Sequence, residues 1–182
     1  MNQWPSDLRD DLRCLEAQEQ LRRVPTVESH GRLIRLDGAE LVNLAGNDYL
    51  ALAQHSHLRD AVIEAAKTFG VGAGASALIS GHSSAHEQLE QRFASFKQAE
   101  SALLLPTGYM ANLATITALA SSNDVVCLDK LNHASLIDAA RACGATVRIY
   151  PHLQLRKLSD LLERYAAARR RFIVTDSVFS MD

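Results

Sequence analysis

A short polar turn that follows an apolar run is the part of this sequence best suited to chemistry. The run from Ala102 to Leu105 reads as a buried strand, and after Pro106 the turn Thr107-Gly108-Tyr109 leads into a segment with helical spacing of apolar residues. The first N–H groups of a helix have no partner inside the helix, and with the helix dipole they attract anions, most often phosphate. The turn predicts an anion site, although many α/β domains contain such a turn with nothing bound.

Two other polar segments also follow apolar runs. Asn132-His133 comes after the run from Asp124 to Leu128, and the segment from Asp176 to Ser180 comes after the run from Phe172 to Thr175. Ligands of parallel sheets bind beyond the carboxyl ends of the strands. We therefore expect these two segments and the turn at Gly108 to meet at one edge of a sheet.

The elements that must position these segments alternate along the chain. From Ser101 onward the pattern predicts strand, helix, strand, helix, strand, helix, strand, with helices over Ala134 to Cys143 and Leu155 to Ala168. This alternation is typical of an α/β fold with a mainly parallel sheet, right-handed crossovers and helices on both faces.

The chain before Ser101 predicts a different arrangement. Pro5 to Arg23 has the spacing of an amphipathic helix, and Asp37-Gly38 joins two short apolar runs as a β-hairpin. A helix then resumes near Leu58 and is stopped by Gly70. We expect residues 1–45 to form an N-terminal helix and hairpin segment, and residues 46–182 to form the large domain.

A glycine-rich segment precedes another predicted helix. Gly70 to Gly81 holds four of the nine glycines, which suggests special backbone angles or a close approach to some other group, with a flexible loop as the alternative. Ser84 and Glu87 then form a capping-box pattern. His82 and His86 have the i, i+4 spacing of metal ligands, but no third ligand lies near them in sequence, so we predict no metal site.

Composition limits the class of protein. The chain has 182 residues and a net charge of -2, which suits one compact α/β domain and gives no electrostatic reason to expect nucleic acid or an anionic membrane as partner. No apolar run approaches the roughly 18 residues of a membrane span. The three cysteines lie far apart, which favours a reducing, cytoplasmic location.

Six motifs, taken together and in order, resemble those of the α-oxoamine synthases, which are pyridoxal 5'-phosphate (PLP) enzymes of the fold type I aminotransferase superfamily. The resemblance runs from about Arg22 to the last residue. The motifs are NDYL at Asn47, GAGAS at Gly72, SGHSSAHEQLE at Ser80, TGYMAN at Thr107, DKLNHASL at Asp129 and TDSVFSMD at Thr175. The resemblance implies a PLP-binding large domain, incomplete here, and a homodimer with the glycine-rich segment at its interface.

The resemblance also implies a branch of the family. SGHS after the glycine-rich segment is more similar to the biotin-biosynthesis branch than to branches with SGT or CGT. That branch condenses L-alanine with pimeloyl-CoA or a pimeloyl-carrier protein and releases carbon dioxide. Other branches, which use glycine or serine with a different acyl-CoA, remain an alternative.

Residue roles follow from the same resemblance. The backbone N–H groups at Gly108 and Tyr109 would hold the cofactor phosphate, His133 would stack on the pyridine ring as a catalytic residue, and Ser180 would bind the phenolic oxygen. Asp176 lies where a Glu is common.

Two further residues are implied to bind substrate. Asn47 would lie near the substrate carboxylate, and Arg22 near the entry of the acyl substrate.

None of the four lysines matches the family's Schiff-base lysine motif. They are Lys67, Lys97, Lys130 and Lys157, and each is most simply a solvated surface charge. We therefore expect the 182-residue chain alone to be inactive, and also poorly stable because a break inside a sheet domain would expose apolar surface. A non-catalytic phosphate-binding α/β domain and a truncated relative that acts only by dimerisation are the alternatives, and no GxGxxG or GxxxxGKS motif supports a nucleotide site.

Overall fold

The computed structural model describes residues 4–179, without the side chains of residues 4–6, 29 and 30. Contacts divide the chain into two compact units, Met1–Gly72 and Ala73–Asp182. The boundary expected between residues 45 and 46 stays a prediction. None of the described helices is long and apolar enough to cross a membrane.

The first unit contains helix α1, a three-stranded antiparallel sheet and helix α2. Helix α1 spans Trp4–Ala17 and ends before the predicted Arg23, because Glu19 adopts a left-handed backbone with φ of 56°. Helix α2 spans Ser56–Phe69 and ends at Gly70, whose φ of 78° suits glycine. The predicted stop at Gly70 is therefore confirmed.

The predicted hairpin is also confirmed. Strands β1 (Glu28–His30), β2 (Leu33–Leu36) and β3 (Ala39–Val42) pair in that order, with Leu36 opposite Ala39. Asp37 and Gly38 have φ of 50° and 80°, which matches the two-residue hairpin turn that twists with its strands.

The second unit begins with a single π-helical turn, Ala77–Gly81, followed by helix α3, Ser84–Lys97. A Cβ atom at Gly81 would lie 1.9 Å from the carbonyl oxygen of Ala75, so only glycine fits this packing. Helix α4 then spans Gly108–Leu119.

A parallel three-stranded sheet forms the centre of the second unit. Its strands are β4 (Val125–Asp129), β5 (Thr146–Tyr150) and β6 (Arg171–Val174), in the order β5-β4-β6. Helices α5 (Ala134–Ala142) and α6 (Leu155–Arg164) form the crossovers between the strands. The predicted parallel sheet with helices is confirmed.

Helices cover both faces of this sheet. On one face Val126 and Leu128 pack with Ile116 of α4 and with residues of α5. On the other face Val125 and Cys127 pack with Leu158 of α6 and with Tyr150. Because successive side chains of a strand point to opposite faces, the continuous apolar run of β4 is buried throughout.

The predicted strand from Ala102 to Leu105 is wrong. This segment pairs with none of the described strands, and the side chain of Leu103 is 79% exposed. The N–H of Leu104 instead donates to Glu90 Oε1 of α3 at 2.8 Å. A strand needs a neighbouring strand for its hydrogen bonds, and apolar composition alone does not supply one.

The predicted capping box at Ser84 and Glu87 is shifted by one residue. Ser83 is the N-cap of α3, and its N–H donates to Nδ1 of His86 at 3.2 Å, with its Oγ 2.8 Å from the same atom. Because the helix begins at Ser84, His86 occupies the position that the pattern gave to Glu87.

Candidate functional site

The N-terminus of α4 carries two open backbone donors. Thr107 is the N-cap, and its Oγ1 accepts from the N–H of Met110 at 3.1 Å, while its carbonyl accepts from Ala111. The N–H groups of Gly108 and Tyr109 have no acceptor in the part of the chain that the structure describes. Apart from its two chain neighbours and the backbone of its own helix, no atom lies within 4 Å of a Cβ atom built on Gly108, so the turn has open space beside it. This arrangement suits an anion such as phosphate.

Tyr109 also ties α4 to α5. Its hydroxyl donates to Asp138 Oδ2 at 2.5 Å. The pKa of Tyr109 is raised because this hydrogen bond holds the phenolic proton, and because desolvation and the charge of Asp138 oppose a phenolate. The side chain of Tyr109 thus anchors the first turn of α4 to α5, while its backbone N–H lies at the candidate anion site.

His133 is the N-cap of α5 and is held through its Nδ1 atom. Nδ1 accepts from the N–H of Ser135 at 3.2 Å and lies 2.7 Å from Ser135 Oγ. Asn112 of α4 donates from Nδ2 to the same Oγ at 2.9 Å. A chain of polar contacts therefore joins α4 to the ring of His133.

Asn132 joins the ends of β4 and β6. Its Nδ2 donates to the carbonyl of Val174 at 2.8 Å, and its Oδ1 accepts from the N–H of Asp176 at 3.1 Å. The carboxylate of Asp176 in turn accepts from the backbone N–H of His133 at 2.8 Å. The prediction that the segments after these strands meet at one edge of the sheet is confirmed, and both ends of the Asn132 amide are used.

A cavity of about 460 Å³ opens at the same edge of the sheet. Asp129, His152 and Asp176 are among its lining residues, and His152 Nδ1 lies 2.9 Å from Asp129 Oδ2. This volume falls in the range of small-molecule sites.

Other predicted site residues lie elsewhere or are not described. Arg22 and Asn47 are exposed residues of the first unit, after α1 and after β3 respectively. Ser180 lies outside the described residues. The structure thus brings Gly108, Tyr109, His133 and Asp176 into one connected set, and the roles given to all of these residues stay predictions.

Sequence reasoning missed the residues that support His133. Asn112, Ser135 and Asp138 received no role, although the first two lie inside the motifs quoted above, and Asn132 was placed at the edge of the sheet without a partner. The signal in the sequence was a polar residue next to apolar ones, as at Ser135 in the helix ASLIDAARA. The structure buries this residue completely, with an exposed fraction of 0%. Buried polar groups need hydrogen-bond partners, so such positions indicate a network.

His82 and His86 make other contacts. His82 Nε2 lies 3.1 Å from Glu90 Oε2, and His86 belongs to the cap of α3. In the described part of the chain no group of three or more His, Cys, Asp or Glu residues could hold a metal ion.

Comparison with solved structures supports the same architecture. Serine palmitoyltransferase of Sphingomonas wittichii superposes with a TM-score of 0.84 at 26% identity, over 96% of this chain and 45% of that one. A serine palmitoyltransferase solved with PLP gives a TM-score of 0.85 at 26% identity, over 96% and 46%. The 8-amino-7-oxononanoate synthase of Francisella tularensis gives a TM-score of 0.61 at 32% identity, over 72% and 36%.

Curated relatives match with higher identity. The 8-amino-7-oxononanoate synthase of Nitrosomonas europaea is 46% identical over 178 residues, which is 97% of this chain and 46% of that protein. That of Janthinobacterium sp. (strain Marseille) is 45% identical over 187 residues, covering 100% and 47%. The chain spans about half the length of the curated relatives it matches.

A family model decides the assignment. The model described as aminotransferase class I and II matches residues 39–182, most of the chain. The predicted relationship to fold type I PLP enzymes is confirmed by this match and by the solved structures. The chain belongs to the aminotransferase class I and II family.

Proposed function

We propose that the protein is a PLP-dependent 8-amino-7-oxononanoate synthase, which condenses L-alanine with a pimeloyl thioester and releases carbon dioxide. The observation that carries the proposal is the connected set at the edge of the sheet, where His133 is held by contacts from α4, from α5 and from the segment after β6, while α4 begins with two open N–H donors. The relatives named above support the choice of substrates.

The residues of this chain fit the cofactor. The N–H groups of Gly108 and Tyr109, with the dipole of α4, would hold the phosphate. The flat ring of His133 would lie against the pyridine ring, and its orientation is fixed by Ser135 and by the contact of its backbone with Asp176. When bound, PLP supplies an electron sink for the charge that develops on the substrate α-carbon.

Assembly and location belong to the same proposal. We expect a homodimer in the cytoplasm, with the glycine-rich segment at the interface. Leu78 and Ile79 support this expectation, because they are large apolar side chains with exposed fractions of 92% and 79%. Arg22 and Asn47 would contribute to substrate binding and Ser180 to cofactor binding.

Residues 1–182 alone are proposed to be inactive. Their four lysines lack the family's Schiff-base motif, and Lys67 pairs with Glu64 at 2.7 Å as an ordinary surface ion pair. An assay of this polypeptide with L-alanine and pimeloyl-CoA should give no aminoketone, and measurable product would contradict this part of the proposal.

The test of function uses the full-length protein loaded with PLP. It should show the visible absorbance of bound cofactor and turn over L-alanine with pimeloyl-CoA faster than glycine or serine. His133→Ala should bind PLP more weakly and lose most of its turnover, while the exposed His57→Ala should behave like the unchanged protein. Unchanged turnover in His133→Ala would rule out the role of His133.

A second candidate has a specific observation in its favour. The serine palmitoyltransferases superpose over more of the chain than the 8-amino-7-oxononanoate synthase does, with a TM-score of 0.84 against 0.61. Faster turnover of serine with a long-chain acyl-CoA would replace the proposed substrates. A full-length protein that never acquires visible absorbance with PLP would favour a non-catalytic phosphate-binding domain.

A further inference from the structure

We propose that Asn112 and Ser135 are positioning residues that hold neutral His133 as the tautomer protonated at Nε2. The assignment rests on contacts within the chain, and its use in catalysis rests on the proposed function. It gives His133 a chemical property, a fixed N–H donor, in addition to the flat surface it would offer to the cofactor.

The backbone of Ser135 decides which ring nitrogen is the acceptor. Its N–H can only donate, and it points at Nδ1 of His133 at 3.2 Å. A proton on Nδ1 would face this N–H directly, so two donors would meet with no acceptor between them. Nδ1 must therefore carry a lone pair in the neutral ring.

The side chain of Ser135 supports the same assignment, because its buried hydroxyl proton has no other hydrogen-bond acceptor within residues 4–179. Asn112 Nδ2 can only donate, so Ser135 Oγ accepts from it at 2.9 Å and keeps its own proton for another partner. The nearest partner is Nδ1 of His133 at 2.7 Å. The protons thus run in one direction, from Asn112 to Ser135 to His133.

The other ring nitrogen is then the donor. Nε2 carries the remaining proton, and within residues 4–179 no hydrogen-bond partner meets it, while His133 itself is exposed and Ser135 is buried. The carboxylate of Asp176 accepts a hydrogen bond from the backbone N–H of His133 and not from its ring. Neutral His133 therefore offers a hydrogen-bond donor to whatever binds at the site, and it does not act there as a proton acceptor.

The experiment is ¹⁵N NMR of the full-length protein with labelled histidine and without added PLP, at a pH raised until the histidine ¹⁵N signals no longer move. The His133 signals are assigned by their loss in His133→Gln. We expect Nδ1 in the unprotonated region of the spectrum and Nε2 in the protonated region. The reverse pattern would overturn the proposal.

Two variants test the positioning residues. Ser135→Ala removes the Oγ donor but keeps the backbone N–H, so the ratio of the two tautomers should fall about two- to tenfold, the worth of one neutral hydrogen bond. Asn112→Asp replaces the donor by an acceptor that takes the Ser135 proton, and should shift the ratio in the same direction. Ser122→Ala, at an exposed serine outside the network, is the matched control.

Circular dichroism spectra and cooperative thermal unfolding equal to those of the unchanged full-length protein establish that the variants fold. An unchanged ratio in both variants would overturn the role of Asn112 and Ser135. The measurement needs neither cofactor nor turnover, so a full-length protein without synthase activity would refute the proposed function and leave the tautomer assignment standing.

Discussion

At the scale of single residues, polar contacts rather than apolar packing hold the candidate site. Asn132 is 6% exposed and Ser135 is fully buried, yet each uses its polar atoms in hydrogen bonds. Among the described residues no buried side-chain nitrogen or oxygen lacks a partner. Removing one member of such a network leaves another buried group without a partner, which costs more than the bond itself contributes.

Tyr109 offers a titration that reports on this network. Its phenol should ionise above the ordinary tyrosine pKa, because Asp138 holds its proton in the folded chain. The folded-state pKa is the higher one, so the contact stabilises the fold below the unfolded pKa and is lost as pH rises through the folded value. Ultraviolet titration of the unchanged chain and of Asp138→Ala measures the shift.

The variant should lower the pKa of Tyr109 towards its ordinary value. Asp160→Ala, at an exposed position on α6, is the control and should leave the titration unchanged. An identical titration curve in Asp138→Ala would contradict the contact.

At the scale of elements, two apolar runs that look alike in the sequence differ in structure, because one forms a strand and the other does not. The run in β4 lies between two parallel strands and is buried on both faces, whereas the run from Ala102 to Leu105 has no strand beside it among the described residues. Local composition gives the tendency to be extended, and only the neighbours in space decide whether a ladder forms.

Leucine-to-alanine substitutions should separate the two runs. Leu128→Ala, at a side chain 2% exposed, should lower the free energy of unfolding by about 2–5 kcal/mol because it leaves a cavity between β4 and the helices. Leu103→Ala should change it by less than about 0.5 kcal/mol. Urea denaturation measures both values, and equal losses would show that residues 102–105 are packed as tightly as β4.

Much of the fold was predictable because short-range patterns determine it. Asp37-Gly38 predicted the hairpin, Gly70 the end of α2, and the alternation after Ser101 the parallel sheet. The strand at Ala102 and the cap at Ser84 were wrong, since the first depends on a distant partner and the second on a one-residue choice between adjacent serines. The network around His133 joins residues up to 44 positions apart, and no local pattern shows which of them meet.

At the scale of the whole molecule, an ion pair between Asp124 and Arg169 stabilises the end of the sheet opposite the candidate site. Asp124, which is 1% exposed, accepts from Arg169 at 2.9 Å and 2.6 Å, and also from the N–H of Ser121. The hydrogen bonds from Arg169 hold the pKa of Asp124 far below its ordinary value. The pair joins the start of β4 to the segment before β6, 45 residues later.

Acid should therefore weaken this unit through Asp124. The folded-state pKa is the lower one, so the pair stabilises the fold above the unfolded value of about 3.9 and is lost as pH falls towards the folded value. Urea midpoints measured from about pH 7 to pH 2 should show Arg169→Met to be less stable at neutral pH, with the difference shrinking in acid. Arg156→Met, at an exposed position, should follow the unchanged chain. A difference that stays constant with pH would contradict the linkage.

The central position of β4 between β5 and β6 also predicts which amide hydrogens of the second unit exchange last. Its amides donate inside the sheet and its side chains are covered on both faces, so we expect D₂O to reach them only through large-scale opening. Deuterium should enter residues 125–129 only when the whole unit unfolds, at a rate that reports its global stability, whereas residues 102–105 should exchange early. We therefore expect the strand that leads to His133 to be the slowest-exchanging segment of the second unit, so that the loop after it is attached to the most rigid part of the sheet.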